Sequence, residues 1–102
     1  MTKNILLICG SGASSGFMAA NMRKAAKKEG LDYKIQAKSE AELGDYADSI
    51  DALMVGPHLA AEFDVIKKEV PENVKVILMK EDYYALLDGT AAVKHLKSEL
   101  EE

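Results

Sequence analysis

Apolar positions in this chain fall into four short runs, separated by stretches with helical spacing. The runs are Asn4 to Cys9, Tyr33 to Lys38, Ala52 to Val55 and Val74 to Met79, each of strand length and bounded by polar or turn-forming residues. Ile5 to Ile8 and Ala52 to Val55 are continuously apolar, as expected of strands covered on both faces, so they belong in the middle of a sheet. In the second run Tyr33, Ile35 and Ala37 alternate with Lys34, Gln36 and Lys38, which fits an edge strand with one solvated face and guarding lysines. The fourth run, with Lys75 near its start, is the other edge.

The intervening stretches carry helix punctuation. Met18, Met22, Ala25 and Ala26 recur at helical spacing and Gly30-Leu31 reads as a C-terminal stop, which predicts a helix from about Ser15 to Glu29. Ser39 and Glu42 have capping-box spacing ahead of Leu43, Tyr46, Ala47 and Ile50, the apolar face of a second helix. Leu59, Phe63, Ile66 and Val70 mark a third. Thr90 is placed to cap a last helix with the stripe Val93, Leu96 and Leu100, after a shorter turn or helix over Tyr83 to Gly89.

Alternating strands and helices imply parallel βαβ units. Runs one and three in the centre and two and four at the edges give the order 2-1-3-4 under right-handed crossovers. The expected fold is a single small three-layer α/β domain over residues 1–102, with a four-stranded parallel, flavodoxin-like sheet. Its topological switch lies between strands one and three, where open α/β sheets bind ligands outside the carboxyl ends of the strands. That places a site between the segments Cys9 to Gly16 and Gly56-Pro57-His58.

The length, 102 residues, suits one core. Thirteen basic against seventeen acidic residues leave a net charge of −4, no surplus for a nucleic-acid backbone or an anionic membrane. The single cysteine excludes an internal disulfide and a multi-cysteine metal cluster, and points to a reducing compartment. The apolar run Ile5 to Cys9 is too short for a signal sequence or a membrane span. A cytoplasmic, soluble chain is expected, and a monomer is the simplest state.

Cys9-Gly10-Ser11-Gly12-Ala13-Ser14-Ser15-Gly16 joins a buried strand to a helix and has the composition of an anion cradle. Glycines allow close backbone approach, successive amides can point inward, and the helix N-terminus adds positive partial charge. The serine hydroxyls add donors, although Ser14 or Ser15 could equally cap the helix. Cys9 opens the segment, where the same dipoles favour thiolate over thiol. A lone cysteine in a small domain is ordinarily an inert small hydrophobe; its place at a strand end and the head of this loop favours a functional thiol.

Rival glycine-loop chemistries fit less well. A P-loop needs a Gly-Lys-Ser/Thr, and this segment contains no lysine; a dinucleotide fingerprint needs glycine at Ser15 and an acid where strand two ends in Lys38. A cysteine phosphatase needs Cys-x5-Arg, yet Ser15 occupies the arginine position and Arg23 lies two turns into the helix. Asp82 could imitate that enzyme's general acid but reads more simply as a turn or cap residue. His58 is expected to form a polar wall of the site, and His95, among Lys94 and Lys97, to be solvated. Neither has metal-ligand companions, so no metal and no cofactor are expected. Phe17 and Met18 follow the loop, where they serve the helix core or meet a partner.

These features together resemble enzyme IIB of the bacterial sugar phosphotransferase system, lactose/cellobiose/chitobiose type, over nearly the whole chain. The strand ending in Cys9, the Gly/Ser loop, Gly56-Pro57-His58 and Leu87-Asp88-Gly89 carry the resemblance, with Leu6 to Ala19 its most specific part. The resemblance implies that Cys9 accepts a phosphoryl group from a phosphohistidine of enzyme IIA. It then passes the group to a sugar held by the membrane permease, enzyme IIC, with Gly10, Ser11, Gly12, Ala13, Ser14, Ser15 and Gly16 cradling the phosphoryl oxygens. Residues 10–15 here, Gly-Ser-Gly-Ala-Ser-Ser, differ from the family's usual Ser-Ala-Gly-Met-Ser-Thr. The alternatives are a low-molecular-weight phosphatase and a non-catalytic anion-binding module.

Overall fold

All four apolar runs are strands in the computed structural model, which describes residues 2–9 and 13–100. They are β1 (Lys3–Cys9), β2 (Tyr33–Ser39), β3 (Ala52–Val55) and β4 (Lys75–Leu78), joined in one sheet of order β2-β1-β3-β4. Every pairing is parallel. β1 runs beside β2 from Lys3 opposite Tyr33 to Cys9 opposite Ser39, and beside β3 from Ile5 opposite Ala52 to Ile8 opposite Val55. β4 extends the sheet from β3, with Ala52 opposite Lys75.

Alternation along the two central strands divides the core into two layers. Ile5, Leu7, Ala52 and Met54 face α1 (Ala13–Lys28) together with α4 (Glu81–Ala85) and α5 (Gly89–Leu100). Leu6, Ile8, Leu53 and Val55 face the opposite way, against Leu43, Ile50, Leu59 and Ile66 from α2 (Leu43–Tyr46), α3 (Phe63–Lys67) and the turns beside them. The continuous apolar runs thus serve both layers, since successive side chains of a strand point to opposite faces. β2 departs from clean alternation: only Ile35 is fully buried, and its carbonyl accepts a 2.8 Å hydrogen bond from Arg23 Nε on the exposed edge.

The first helix ends as its glycine predicts. Gly30 has φ 72°, its N–H donates to the Lys27 carbonyl at 3.1 Å, and that of Leu31 donates to Ala26 at 2.9 Å, the paired bonds of a Schellman stop. At its other end the helix starts at Ala13, two residues before the expected Ser15. The second and third helices are not continuous. Residues 40–49 form two 3₁₀ turns around the four-residue α2, and Pro57–Glu62 is a 3₁₀ segment ahead of α3. Gly44 within α2 weakens the α-helical alternative there, and in Pro57–Glu62 the backbone leaves the helical region at Leu59, with φ −100° and ψ 16°. Ser39 and Glu42 do meet, but in one direction: the Glu42 carboxylate accepts from the Ser39 N–H at 3.1 Å and its hydroxyl at 3.2 Å, and those bonds hold the carboxyl below its usual pKa.

The last helix is capped by Asp88 rather than Thr90. Its Oδ1 accepts the Ala91 N–H at 3.1 Å and its carbonyl accepts the Ala92 N–H at 3.1 Å. Immediately before it, Leu87 turns the chain with φ 53°, and Asn21 Nδ2 on α1 donates to the Leu87 carbonyl at 2.8 Å. Gly89 lies directly against α1: a Cβ built there would come within 2.6 Å of the Met22 nitrogen and closer still to the Asn21 carbonyl. This backbone-to-backbone approach locks α5 onto α1 and needs a residue without a side chain.

Candidate functional site

The register of the sheet places Cys9 and the start of Gly56-Pro57-His58 at its carboxyl end. Cys9 is the last residue of β1, opposite Ser39. On its other side the ladder continues one step beyond β3, with the Gly56 N–H donating to the Ile8 carbonyl at 3.0 Å. Gly56-Pro57-His58 therefore begins its turn beside the end of β1, as the switch-point reading expects. The Met79 N–H donates to Val55 at 2.8 Å, which extends the same edge to the start of α4.

The helix that follows β1 begins at Ala13, so Ala13, Ser14, Ser15 and Gly16 form its first turn instead of the end of a long loop. First-turn amides have no carbonyl partner within their own helix, and no acidic residue occupies that turn. It presents positive partial charge at the sheet edge that carries Cys9. The roles expected of Gly10, Ser11 and Gly12 concern positions outside the described residues, as do the side chains of Cys9, Ala13, Ser14 and Ser15.

His58 is exposed and its ring lies 6.0 Å from that of Tyr84 on α4, tilted by 57°. The two line a cleft of about 300 Å³ with Pro57, Glu81 and Ala85. The expected wall residue thus stands at this end of the sheet, and Tyr84, which the sequence reading assigned no role, stands with it. Its signal was only an aromatic at a helix start after an edge strand, indistinguishable from core. Met18 is fully buried and Phe17 is 65% exposed, so the pair that follows the loop divides between core and surface.

The phosphatase elements are committed elsewhere. Arg23, bonded to the β2 edge, sits in the second half of α1, and Asp82 Oδ1 accepts the Tyr83 N–H at 2.7 Å within the first turn of α4. Among the described residues no group of three or more His, Cys, Asp or Glu could hold a metal ion, and no helix is long and apolar enough to cross a membrane.

His95 is not solvated. Its Nδ1 lies 2.6 Å from the Tyr83 hydroxyl and its Nε2 3.8 Å from a Glu99 carboxylate oxygen. With Nε2 facing a carboxylate, the proton of the neutral ring belongs there, leaving Nδ1 to accept from Tyr83. Burial lowers the His95 pKa from its ordinary 6.5, and Lys80 acts in the same direction, against Glu99 and Asp82. Burial also pushes the Tyr83 hydroxyl up to about 12, so it remains a donor. Because the unfolded chain takes up this proton more readily, the pair contributes stability that is fully present above 6.5 and lost as pH falls below it. Thermal melts between about pH 8 and about pH 5 are expected to show this decline, and His95→Gln to reduce it.

The family model described as PTS system, Lactose/Cellobiose specific IIB subunit, matches residues 4–95. The chain is 33% identical to the galactose-specific EIIB component of Lactococcus lactis subsp. cremoris, over 85% of its own length and 86% of that protein. It is also 33% identical, with the same coverage, to the cellobiose-specific EIIB component of Lactococcus lactis subsp. lactis. The solution structure of the cellobiose-specific phosphotransferase IIB component from Borrelia burgdorferi superposes with a TM-score of 0.76 at 22% identity, covering 97% of this chain and 92% of that one. That likeness carries the fold; with the family match and the two relatives it leads to one assignment. The chain belongs to the lactose/cellobiose-specific IIB family of the sugar phosphotransferase system and is a phosphotransferase of that system.

Proposed function

We propose that Cys9 carries the phosphoryl group. Its thiolate sulfur attacks the phosphorus of an enzyme IIA phosphohistidine; the S–P bond forms, the P–N bond breaks, and the imidazole leaves. A sugar hydroxyl held by enzyme IIC then attacks the same phosphorus, the S–P bond breaks, the thiolate is restored and the hydroxyl proton passes to solvent or a base on the permease. The single observation that supports this most is the junction itself. The one cysteine of the chain ends a central strand at the switch point, and a helix whose first-turn amides lack in-helix partners begins four residues later.

The arrangement suits a carrier better than a hydrolase. Backbone amides of Gly10 to Gly16 stabilise charge on the moving phosphoryl oxygens. An arginine fork and a free general acid would favour transfer to water; Arg23 and Asp82 are engaged elsewhere. His58 and Tyr84 would wall the phosphoryl group on the side of β3 and α4. The sugar is read as a β-linked disaccharide such as cellobiose, chitobiose or lactose; equal identity to galactose- and cellobiose-specific relatives separates no member of the group.

Intact mass spectrometry at neutral to alkaline pH tests this, after incubation with phosphoenolpyruvate, the general phosphotransferase proteins and a lactose/cellobiose-type enzyme IIA. One phosphoryl group per chain is expected. No addition, with hydrolysis of an aryl phosphate, would replace the carrier with a phosphatase.

A further inference from the structure

We propose that the outward stripe of α1 is a docking face for an anionic lipid bilayer. Helix α1 carries Arg23, Lys24, Lys27 and Lys28 and no acidic residue. At about 3.6 residues per turn, Lys24, Lys27, Lys28 and Phe17 lie on the side opposite Met18, Met22, Ala25 and Ala26, which are buried. The three lysines are exposed, and Phe17 is 65% exposed at the end of the same stripe. Lysines in the last turn complement the helix dipole, which accounts for Lys27 and Lys28, and Arg23 is bonded to the Ile35 carbonyl; neither accounts for Lys24.

The opposite layer has the opposite charge. Residues 40–72, which supply the elements over the other face of the sheet, hold nine carboxylates against two lysines. The net charge of −4 is thus −7 over residues 40–72 and +3 over the rest of the chain, although α4, α5 and the residue that caps it, which share the α1 layer, add Glu81, Asp82, Asp88 and Glu99. Near an anionic plane such a molecule turns its α1 side inward, because the acidic layer is repelled. On the α1 side Lys97 is neutralised by Glu29 at 2.9 Å, and Lys94 on α5 is exposed in a cleft lined by Lys80, Asp82, Tyr83 and Asp88.

A bilayer fits better than a discrete acidic group or a nucleic acid. The three exposed lysines lie within the last five residues of α1, and the recess of about 230 Å³ that Lys24 and Lys28 border is shared by Asp88, whose carboxylate opposes a discrete acidic group there. The exposed aromatic at the other end of the helix suits the headgroup region and reads no base edge. Lipid binding stands on this charge distribution alone. Its use, holding the carrier beside a membrane permease, rests on the carrier reading above.

The test is co-sedimentation of the full chain with vesicles of equal phosphatidylglycerol and phosphatidylcholine, against phosphatidylcholine alone and duplex DNA. Binding to the anionic vesicles at low ionic strength is expected to exceed that to the neutral ones about tenfold and to weaken with salt. Lys24→Glu/Lys27→Glu/Lys28→Glu should abolish it, the milder Lys24→Gln/Lys27→Gln should weaken it, and Glu62→Gln/Glu69→Gln on the other face should preserve it. Phosphoryl acceptance from enzyme IIA without vesicles should be unchanged in the lysine variants. Indifference to phosphatidylglycerol, tighter retention on DNA, or full vesicle binding by the triple variant with an unaltered melt would each overturn the lipid face. So would loss of acceptance without vesicles, which would assign the lysines to a protein partner. A chain that binds vesicles but takes no phosphoryl group would instead undo the carrier and leave the lipid face standing.

Discussion

Cys9→Ser is expected to abolish phosphoryl acceptance from enzyme IIA, by on the order of 10³-fold or more, while the fold persists. Serine nearly preserves the shape at the end of β1 but replaces a thiol with a hydroxyl, which ionises far less readily and is the weaker nucleophile. The described residues place no free base beside this position to compensate: His58, on the neighbouring turn, faces Tyr84. Intact mass spectrometry of wild type and variant, with circular dichroism melts alongside, checks the expectation. Retained acceptance at an unchanged rate would remove Cys9 from the mechanism.

The largest effect on stability is expected at Gly89. Its missing side chain is what lets the start of α5 rest on the Asn21–Met22 backbone, and a methyl group there collides with main chain, which cannot rotate away as a side chain can. Gly89→Ala should cost about 3 kcal/mol, at the upper end for overpacking, and lower the melting temperature by roughly 15 °C for a domain of this size. Gly44→Ala is the contrasting control. Nothing lies within 4 Å of its added Cβ, and alanine favours a helix, so it should be neutral or slightly stabilising. Similar melts for the two variants would show that α1 and α5 separate at little cost.

The sheet was legible because its signals are local and redundant. Two continuous apolar runs can only be central strands, and lysines beside Ile35 and Val76 mark the edges, so the order follows. The place of the thiol followed from that order. Helices two and three were misread as continuous because Leu43, Ala47 and Ile50, like Leu59 and Ile66, keep a buried face through 3₁₀ turns almost as well as through an α-helix. Asp88 escaped notice as the cap because Thr90 has equal claim by residue type, and only backbone geometry separates them. His95 read as solvated from its lysine neighbours along the chain; its partner Tyr83 lies twelve residues away on another helix. The charge asymmetry was hidden for a similar reason, since a net charge sums over faces that only the topology separates.

An all-parallel sheet has one carboxyl edge, and Cys9, Gly56 to His58 and the start of α4 all gather on it. A donor and an acceptor that both need this edge are mutually exclusive, so the carrier reading implies a ping-pong cycle. The first partner must dissociate before the second can bind, and flux at saturation is then bounded by release as much as by phosphoryl transfer. Tightening one partner's hold on that edge would slow the pathway as a whole.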